Sequence, residues 1–390
     1  MSSILSALKE LKLPWRRKKP VIDEAQEEEA FFRAGQWQLV WWKFRRHRLA
    51  QIAIVVLGIL YLIAIFAEFL APHPPLKRYK DYVAHPPSKI RIRDVDGNYH
   101  WPFIYPTVRE RDPVTFRPFY TEDTSQRYPI KLFARGDNYA LWGLIRSDVH
   151  LLGTGANDVA PLFVLGADSI GRDVFSRIFF GGRISLSVGL LGVFLAFFLG
   201  LILGGISGYY GGVVDEAIQR IIEVLFALPA IPLWMALAAA LPQDWPQLRI
   251  YFYTTIILSI LSWTQLARVV RGRLLSMREE DFVMAAKLDD ESEWHIIARY
   301  MLPGFMSYII VALTLAIPNM ILGETALSFL GIGLKSPTVS WGVMLNEAQD
   351  IMVVAQLPWV LWPVAFVVVA VLMFNFLGDG LRDAADPYVT

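Results

Sequence analysis

The chain has 390 residues, 55% of them hydrophobic, 13% aromatic and only 19% charged, with a mean hydropathy of +0.40 and a formal net charge of +1. A soluble domain carries about 25% charged residues, so this balance favours membrane residence. Basic residues sit at the edges of apolar runs and form no stripe, which leaves nucleic-acid binding without support, and the lack of cysteine excludes disulfides and thiolate chemistry.

Residues 1–48 read as a charged cytoplasmic leader, predicted mobile over its first thirty positions and carrying an acidic run at Glu27–Glu29. Trp41 and Trp42, beside Lys43 and Arg45, suit a helix lying at headgroup level. The first apolar run, 49–71, starts too far into the chain for a cleavable signal and reads as an uncleaved span. Five further runs, 184–208, 219–241, 251–270, 304–328 and 358–379, approach the roughly 20 residues a span needs. Arg16, Arg17, Lys18, Lys19, Lys43, Arg45, Arg46 and Arg48 place the N-terminus in the cytoplasm. With six spans the C-terminus and the basic loop 271–303 fall on the same side.

Between the first two spans, 72–180 falls outside the cytoplasm. Pro72, Pro74 and Pro75 end the first helix. The alternation Ile90-Arg91-Ile92-Arg93, followed by Asp96-Gly97, predicts a β-hairpin whose turn takes its positive backbone angles from the Asp-Gly pair. Asp94, Asp96 and Asn98 resemble the start of a calcium loop, but the later glycine and glutamate that such a loop needs are missing. The stretch 73–165 is expected to be a small strand-containing domain. No internal repeat is found, which disfavours the secondary transporters built from two related halves.

Several enzyme signatures are lacking: HExxH, GxSxG, and a phosphate loop, for which Gly331–Ser336 has the wrong spacing. The histidines at 73, 85, 100 and 150 lack metal-ligand spacing, so no metal site is expected.

Five stretches carry a family resemblance: LGADSIGRDVFSRIFFGGRISLSVGL (165–190), GYYGGVVDEAIQRIIEVLFALPA (208–230), ARVVRGRLLSMREEDFVMAAKLDDESEWHIIARYMLP (267–303), ILGETALSFLGIGLKSPTVSWGVML (321–345) and FNFLGDGLRDAADP (374–387). In this order they resemble the C-type permease subunit of dipeptide/oligopeptide ABC importers, among the binding-protein-dependent transport permeases; the leader 36–71 matches more loosely. The resemblance implies an all-α polytopic membrane protein of the type I ABC importer permease fold, with a permease core over 181–382 and a cytoplasmic tail over 383–390. It implies residence in the bacterial inner membrane. The implied partners are a B-type permease, two ABC ATPase subunits and an extracytoplasmic solute-binding protein. No cofactor is expected in this chain, because ATP and magnesium would be held by the ATPases.

Within 281–303, Phe282, Ala285, Ala286 and Asp289 recur at helical spacing, so one helix face is small enough to seat in a groove. The resemblance makes this the coupling helix of the EAA loop, with Glu293 and Pro303 further along it. Met284 stands where the family has glutamate, and Asp290 where it has glycine. Aspartate accepts the sharp turn less easily, but is expected to cap the next helix, with Glu293 completing a capping box.

Gly171, Arg172, Asp173 and Arg177 are placed by the resemblance in a short outer-surface helix, with charges pairing across the subunit boundary. Asn319, Glu324 and Asn375 are candidates for the translocation path; bonding to a neighbouring helix explains them equally well. Two other classes remain open: a gradient-driven transporter, which needs an intramembrane relay of ionisable groups, and a sensor or scaffold built on the outer domain. Within the importer class the cargo is expected to be di- or oligopeptides, with oligosaccharides or nickel as alternatives.

Overall fold

A computed structural model describes residues 36–111, 113, 118–242 and 244–385. Arg16 to Lys19, the acidic run Glu27–Glu29 and residues 386–390 of the tail lie outside the described residues.

Helix α1 (Gln36–Phe44) leads to α2 (Arg48–Ile65) and the single turn α3 (Ala67–Leu70). On α1, Trp41 and Trp42 are exposed and the Arg45 guanidinium lies 5.8 Å from the Trp41 ring centroid. His47 caps α2 by accepting a bond from the Ala50 N–H. Helix α2 is apolar all round, yet its two faces differ in side-chain size. Ala50, Ala53, Leu57, Leu60 and Ala64 pack inward, while Leu49, Ile52, Ile59, Leu62 and Ile65 face out.

Among the described residues the insertion holds seven strands in three small antiparallel sheets: β1 (Arg91–Arg93), β2 (Tyr99–Ile104) and β5 (Tyr128–Pro129); β3 (Thr107–Arg111) and β4 (Pro118–Glu122); β6 (Lys131–Leu141) and β7 (Ile145–Gly153). The expected β1–β2 hairpin forms, pairing Arg93 with Tyr99. Its turn differs from expectation. Only Gly97 has a positive φ (+92°), and the loop closes through Asp94 N–H to Asn98 O at 3.0 Å and Asn98 N–H to Asp94 Oδ1 at 2.8 Å. The aspartate side chain supplies what a second left-handed residue would otherwise provide.

The longer helices that follow are α4 (Val174–Tyr210), α5 (Gly212–Ala227), α6 (Ala230–Ala239), α7 (Gln247–Met277), α8 (Asp281–Leu288), α9 (Met306–Phe329), α10 (Trp341–Glu347) and α11 (Trp362–Ala385), with short helical turns between some of them. Among the described residues, five helical segments are long and apolar enough to cross a membrane: Arg48–Ile65, Val174–Tyr210, Gln247–Met277, Met306–Phe329 and Pro358–Ala385. The expected span at 219–241 is broken. Helices α5 and α6 meet at 91°, because Pro229 lacks an N–H and holds Leu228 in extended backbone.

Helix α4 is the staff of the bundle. Added Cβ atoms at Gly204 and Gly208 would lie 2.6 and 2.7 Å from the carbonyls of Ala267 and Arg271, so α4 and α7 touch backbone to backbone. Gly189 and Gly192 instead admit the side chains of Ile321 and Met320 of α9, and Gly181 and Gly182 seat Trp341 of α10. The main core, including Leu186, Leu258, Met320, Ile321, Trp341 and Phe374, forms around that staff.

Candidate functional site

The loop after α7 folds into a hairpin. Helix α8 ends at Leu288 with Asp289 as its C-cap, and Asp290 takes the left-handed conformation (φ +57°). Asp290 N–H donates to Lys287 O and Glu291 N–H to Ala286 O, both at 3.2 Å, the two bonds of a Schellman turn. The sharp turn therefore survives the exchange of glycine for aspartate. The expected capping box does not form. Ser292, rather than Asp290, holds the N-cap position of the returning segment and makes no side-chain cap bond. Glu293 is drawn elsewhere: its carboxylate accepts the Tyr210 hydroxyl at 2.5 Å.

The two faces of α8 are sharply unlike. Val283 and Ala286 are buried in a cluster with Leu274, Ile296, Ile297, Met301 and Phe305. Phe282, Met284, Ala285, Lys287 and Leu288 face out, and Leu288 is 87% exposed. Trp294 stands 56% exposed on the returning segment. The expectation that Ala286 belongs to the outward face is corrected here. With 3.6 residues per turn, Val283 and Ala286 share a stripe, and the β-branched Val283 is the side chain the core takes. Asp289 and Pro303 are exposed.

This hairpin is tied to the end of α4. Besides the Tyr210–Glu293 bond, the Lys287 ammonium lies 5.4 Å from the Tyr209 ring centroid. One turn earlier, Arg271 of α7 grips Asp215 of α5, which also receives the Ser207 hydroxyl. The hairpin and the root of the broken span are thus both bonded to the last turns of α4.

At the other end of α4 the charged residues pair within the chain, a second correction. Arg172 and Arg177 are both buried. Arg172 donates to Asp168 (2.6 Å) and Glu347 (2.7 Å); Arg177 donates to Asp168 (2.7 Å) and stands 2.7 Å from Glu347. The expected short surface helix is not formed over 165–173, because α4 itself starts at Val174 under an Asp173 cap that accepts from Phe175 N–H, Ser176 N–H and Ser176 Oγ. Burial raises the Asp173 carboxyl to about 7 against those three donors. Gly171 (φ +81°) is required, since a Cβ there would lie 2.3 Å from Tyr79 O. The partner that sequence reasoning missed is Glu347, with no signal to link it to Arg177 across 170 positions.

The three pathway candidates are not brought together. Asn319 is exposed on α9 and Asn375 is half-buried on α11. Glu324 is fully buried and accepts from Ser185 of α4 (2.9 Å) and Ser328 (2.8 Å). Ser185 in turn accepts the Trp341 N–H at 3.2 Å, so Glu324 braces α4, α9 and α10 together. The four insertion histidines each have a different partner: Tyr79 for His73, Thr107 for His85, Asp94 for His100 and Ala71 O for His150. Among the described residues, no group of three or more His, Asp or Glu is placed to hold a metal ion.

Residues 196–390 match the family model for the binding-protein-dependent transport system inner membrane component, and residues 35–87 match that for the N-terminal TM domain of oligopeptide transport permease C. The chain is similar to a putative peptide permease protein of Brucella ovis, 41% identical over 253 residues covering 64% of this chain and 81% of the relative. It is 39% identical to the dipeptide transport system permease protein DppC of Bacillus subtilis over 57% of this chain and 68% of the relative. The glutathione transport system permease protein GsiD of Escherichia coli is 32% identical over 354 residues, covering 90% of this chain and 91% of the relative. Among solved structures, a chain of the inward-facing MetNI methionine ABC transporter covers 52% of this chain and 94% of its own length, at 16% identity and a TM-score of 0.41. The chain belongs to the family of binding-protein-dependent transport system inner membrane components, as a multi-pass permease subunit of an ABC importer.

Proposed function

We propose that this chain forms half of the translocation pathway of an ATP-driven peptide importer and is moved through the α8 hairpin by an ATPase subunit. The observation that carries this reading is the two-faced hairpin: Val283 and Ala286 anchor it inward, while Phe282, Ala285, Leu288 and Trp294 lie bare on the other side. Bare apolar side chains on a polar loop fit a partner's groove. The bonds to Tyr209 and Tyr210 give a push on α8 a direct route into α4.

In this reading a B-type permease completes the pathway, a second ATPase serves it, and a solute-binding protein delivers cargo on the insertion side. The two bundle states must differ enough for the ATPases to switch them. A swing from 1:99 to 99:1 takes about 5.5 kcal/mol of differential binding. Asn319, on the open face of α9, is the pathway candidate that the geometry favours; Glu324, sealed among serines, is assigned to bracing. Peptide cargo is favoured over oligosaccharide or nickel because relatives carry peptide, dipeptide and glutathione names. A gradient-driven transporter is disfavoured, since Glu324 is bonded to serines and not to a second ionisable group.

Cysteines placed at Ala285 and Leu288 are expected to crosslink to the cleft of the cognate ATPase. Intact peptide uptake with no crosslink at either position would remove the coupling role. Uptake of oligosaccharide or nickel, but not peptide, by the assembled system would remove the substrate assignment alone.

A further inference from the structure

The insertion does not simply stand away from the bundle. Its longest hairpin, β6–β7, turns back toward it. His150 Nδ1 donates to Ala71 O at 2.6 Å, just past α3, and Phe133 lies 6.1 Å from Phe69, ring centroid to centroid. The tip lies farther back along the helix: Trp142 Nε1 donates to Ile65 O at 2.9 Å, and its ring is 5.6 Å from that of Phe66. Ile65 lies six residues before Ala71 and closes α2, so the tip bonds to the long apolar helix itself, whereas His150 bonds beyond the turn that follows it.

Ile65 is the last residue of α2, whose 18 residues span about 27 Å, close to the roughly 30 Å of a hydrocarbon core. The tip is therefore held at the depth where that core ends. It is apolar: Trp142 is 50% exposed, Leu144 81% and Ile145 58%, with Arg146 exposed beside them. Trp142 takes a left-handed conformation (φ +52°), strained for a bulky side chain, and its hydrogen bond to Ile65 offsets that strain. The patch continues the outward face of α2, where Ile59, Leu62 and Ile65 are also exposed.

We infer that the Trp142–Arg146 tip is a membrane anchor, with Trp142, Leu144 and Ile145 seated in the headgroup–acyl boundary of the leaflet where α2 ends and Arg146 against lipid phosphate. An aromatic ring, two aliphatic side chains and a guanidinium match the layered chemistry of that boundary. The anchor fixes the height and tilt of the insertion relative to the bilayer. It needs only that α2 crosses the membrane, and is independent of the cargo.

The native chain has no cysteine, so single labels are unique within it. Leu144→Cys and Ile145→Cys variants, each spin-labelled, are reconstituted with cysteine-free cognate subunits in phosphatidylethanolamine–phosphatidylglycerol bilayers. Val95→Cys, 67% exposed on the β1–β2 turn, is the aqueous reference. The expected result is higher oxygen and lower nickel-chelate collision rates at 144 and 145 than at 95, with or without transport activity. Nickel accessibility equal to that at 95 would overturn the anchor in favour of a solvated tip. Shielding from both reagents would overturn it in favour of a protein partner.

Discussion

Arg177 and Glu347 stand 2.7 Å apart with Arg177 almost wholly out of water, joining the first turn of α4 to the end of α10. Removing the cation takes away one of the two guanidiniums that Asp168 and Glu347 share, leaving Arg172 to hold both and one buried negative charge uncompensated. Arg177→Met is expected to cost about 3–5 kcal/mol. Arg220→Met, which breaks the exposed pair with Glu223, should stay within about 0.5 kcal/mol. Thermal unfolding of both variants in detergent checks the contrast.

Asp290 holds the left-handed position of the Schellman turn that closes α8. Glycine adopts that conformation without the penalty of a Cβ, so Asp290→Gly should stabilise the hairpin by roughly 1 kcal/mol. Slower amide exchange over 281–291 would register the gain. Faster exchange would show that the aspartate contributes something the backbone does not reveal.

Ala285 and Ala286 are neighbours with opposite fates. Ala286→Trp forces a large ring into the cluster around Val283, Ile296 and Ile297, and should lower hairpin protection against protease. Ala285→Trp should leave that protection unchanged while reducing ATPase binding. Equal protease sensitivity in the two variants would contradict the assigned faces.

A Cβ at Gly204 would meet Ala267 O at 2.6 Å, and neither backbone can withdraw without opening the α4–α7 crossing. Gly204→Val is expected to cost roughly 1–3 kcal/mol. Gly205→Val, at a position with open space, should be milder. Detergent melting curves of the pair decide between a close helix crossing and a loose one.

Burial pushes the His85 imidazole down to about 4 and that of His73 to about 3. A depressed histidine pKa means that the unfolded chain binds the proton more readily. This contribution is complete above about pH 6.5 and is lost as pH falls toward 4, with roughly 2 kcal/mol gone for His85 by pH 5. Asp173, raised to about 7, carries the opposite sign. The test is therefore the difference in slope between the native chain and His85→Gln, followed by amide exchange in β3 and β4 from pH 7 to 5. Identical slopes would refute the assignment to His85.

What the sequence alone determined here was local. Apolar runs located most of the membrane-crossing segments, Asp96-Gly97 marked a hairpin, and the alanine pair marked a helix in the polar loop, because each signal lies within one or two turns of chain. Pro229 stood inside a run expected to span, and the 91° bend it produces emerged only in the fold. The glycines at 200, 204 and 208 recur every fourth residue, the spacing of a close-packing helix face. Tertiary structure alone decided that Ala286 points inward, that Arg177 pairs with Glu347 inside one chain, that Glu324 braces three helices, and that Trp142 returns to the end of α2. Each of these depends on which distant group supplies the desolvating wall or the opposite charge. Burial and pairing are properties of three-dimensional neighbours, and no spacing along the chain encodes a neighbour 77 or 170 positions away.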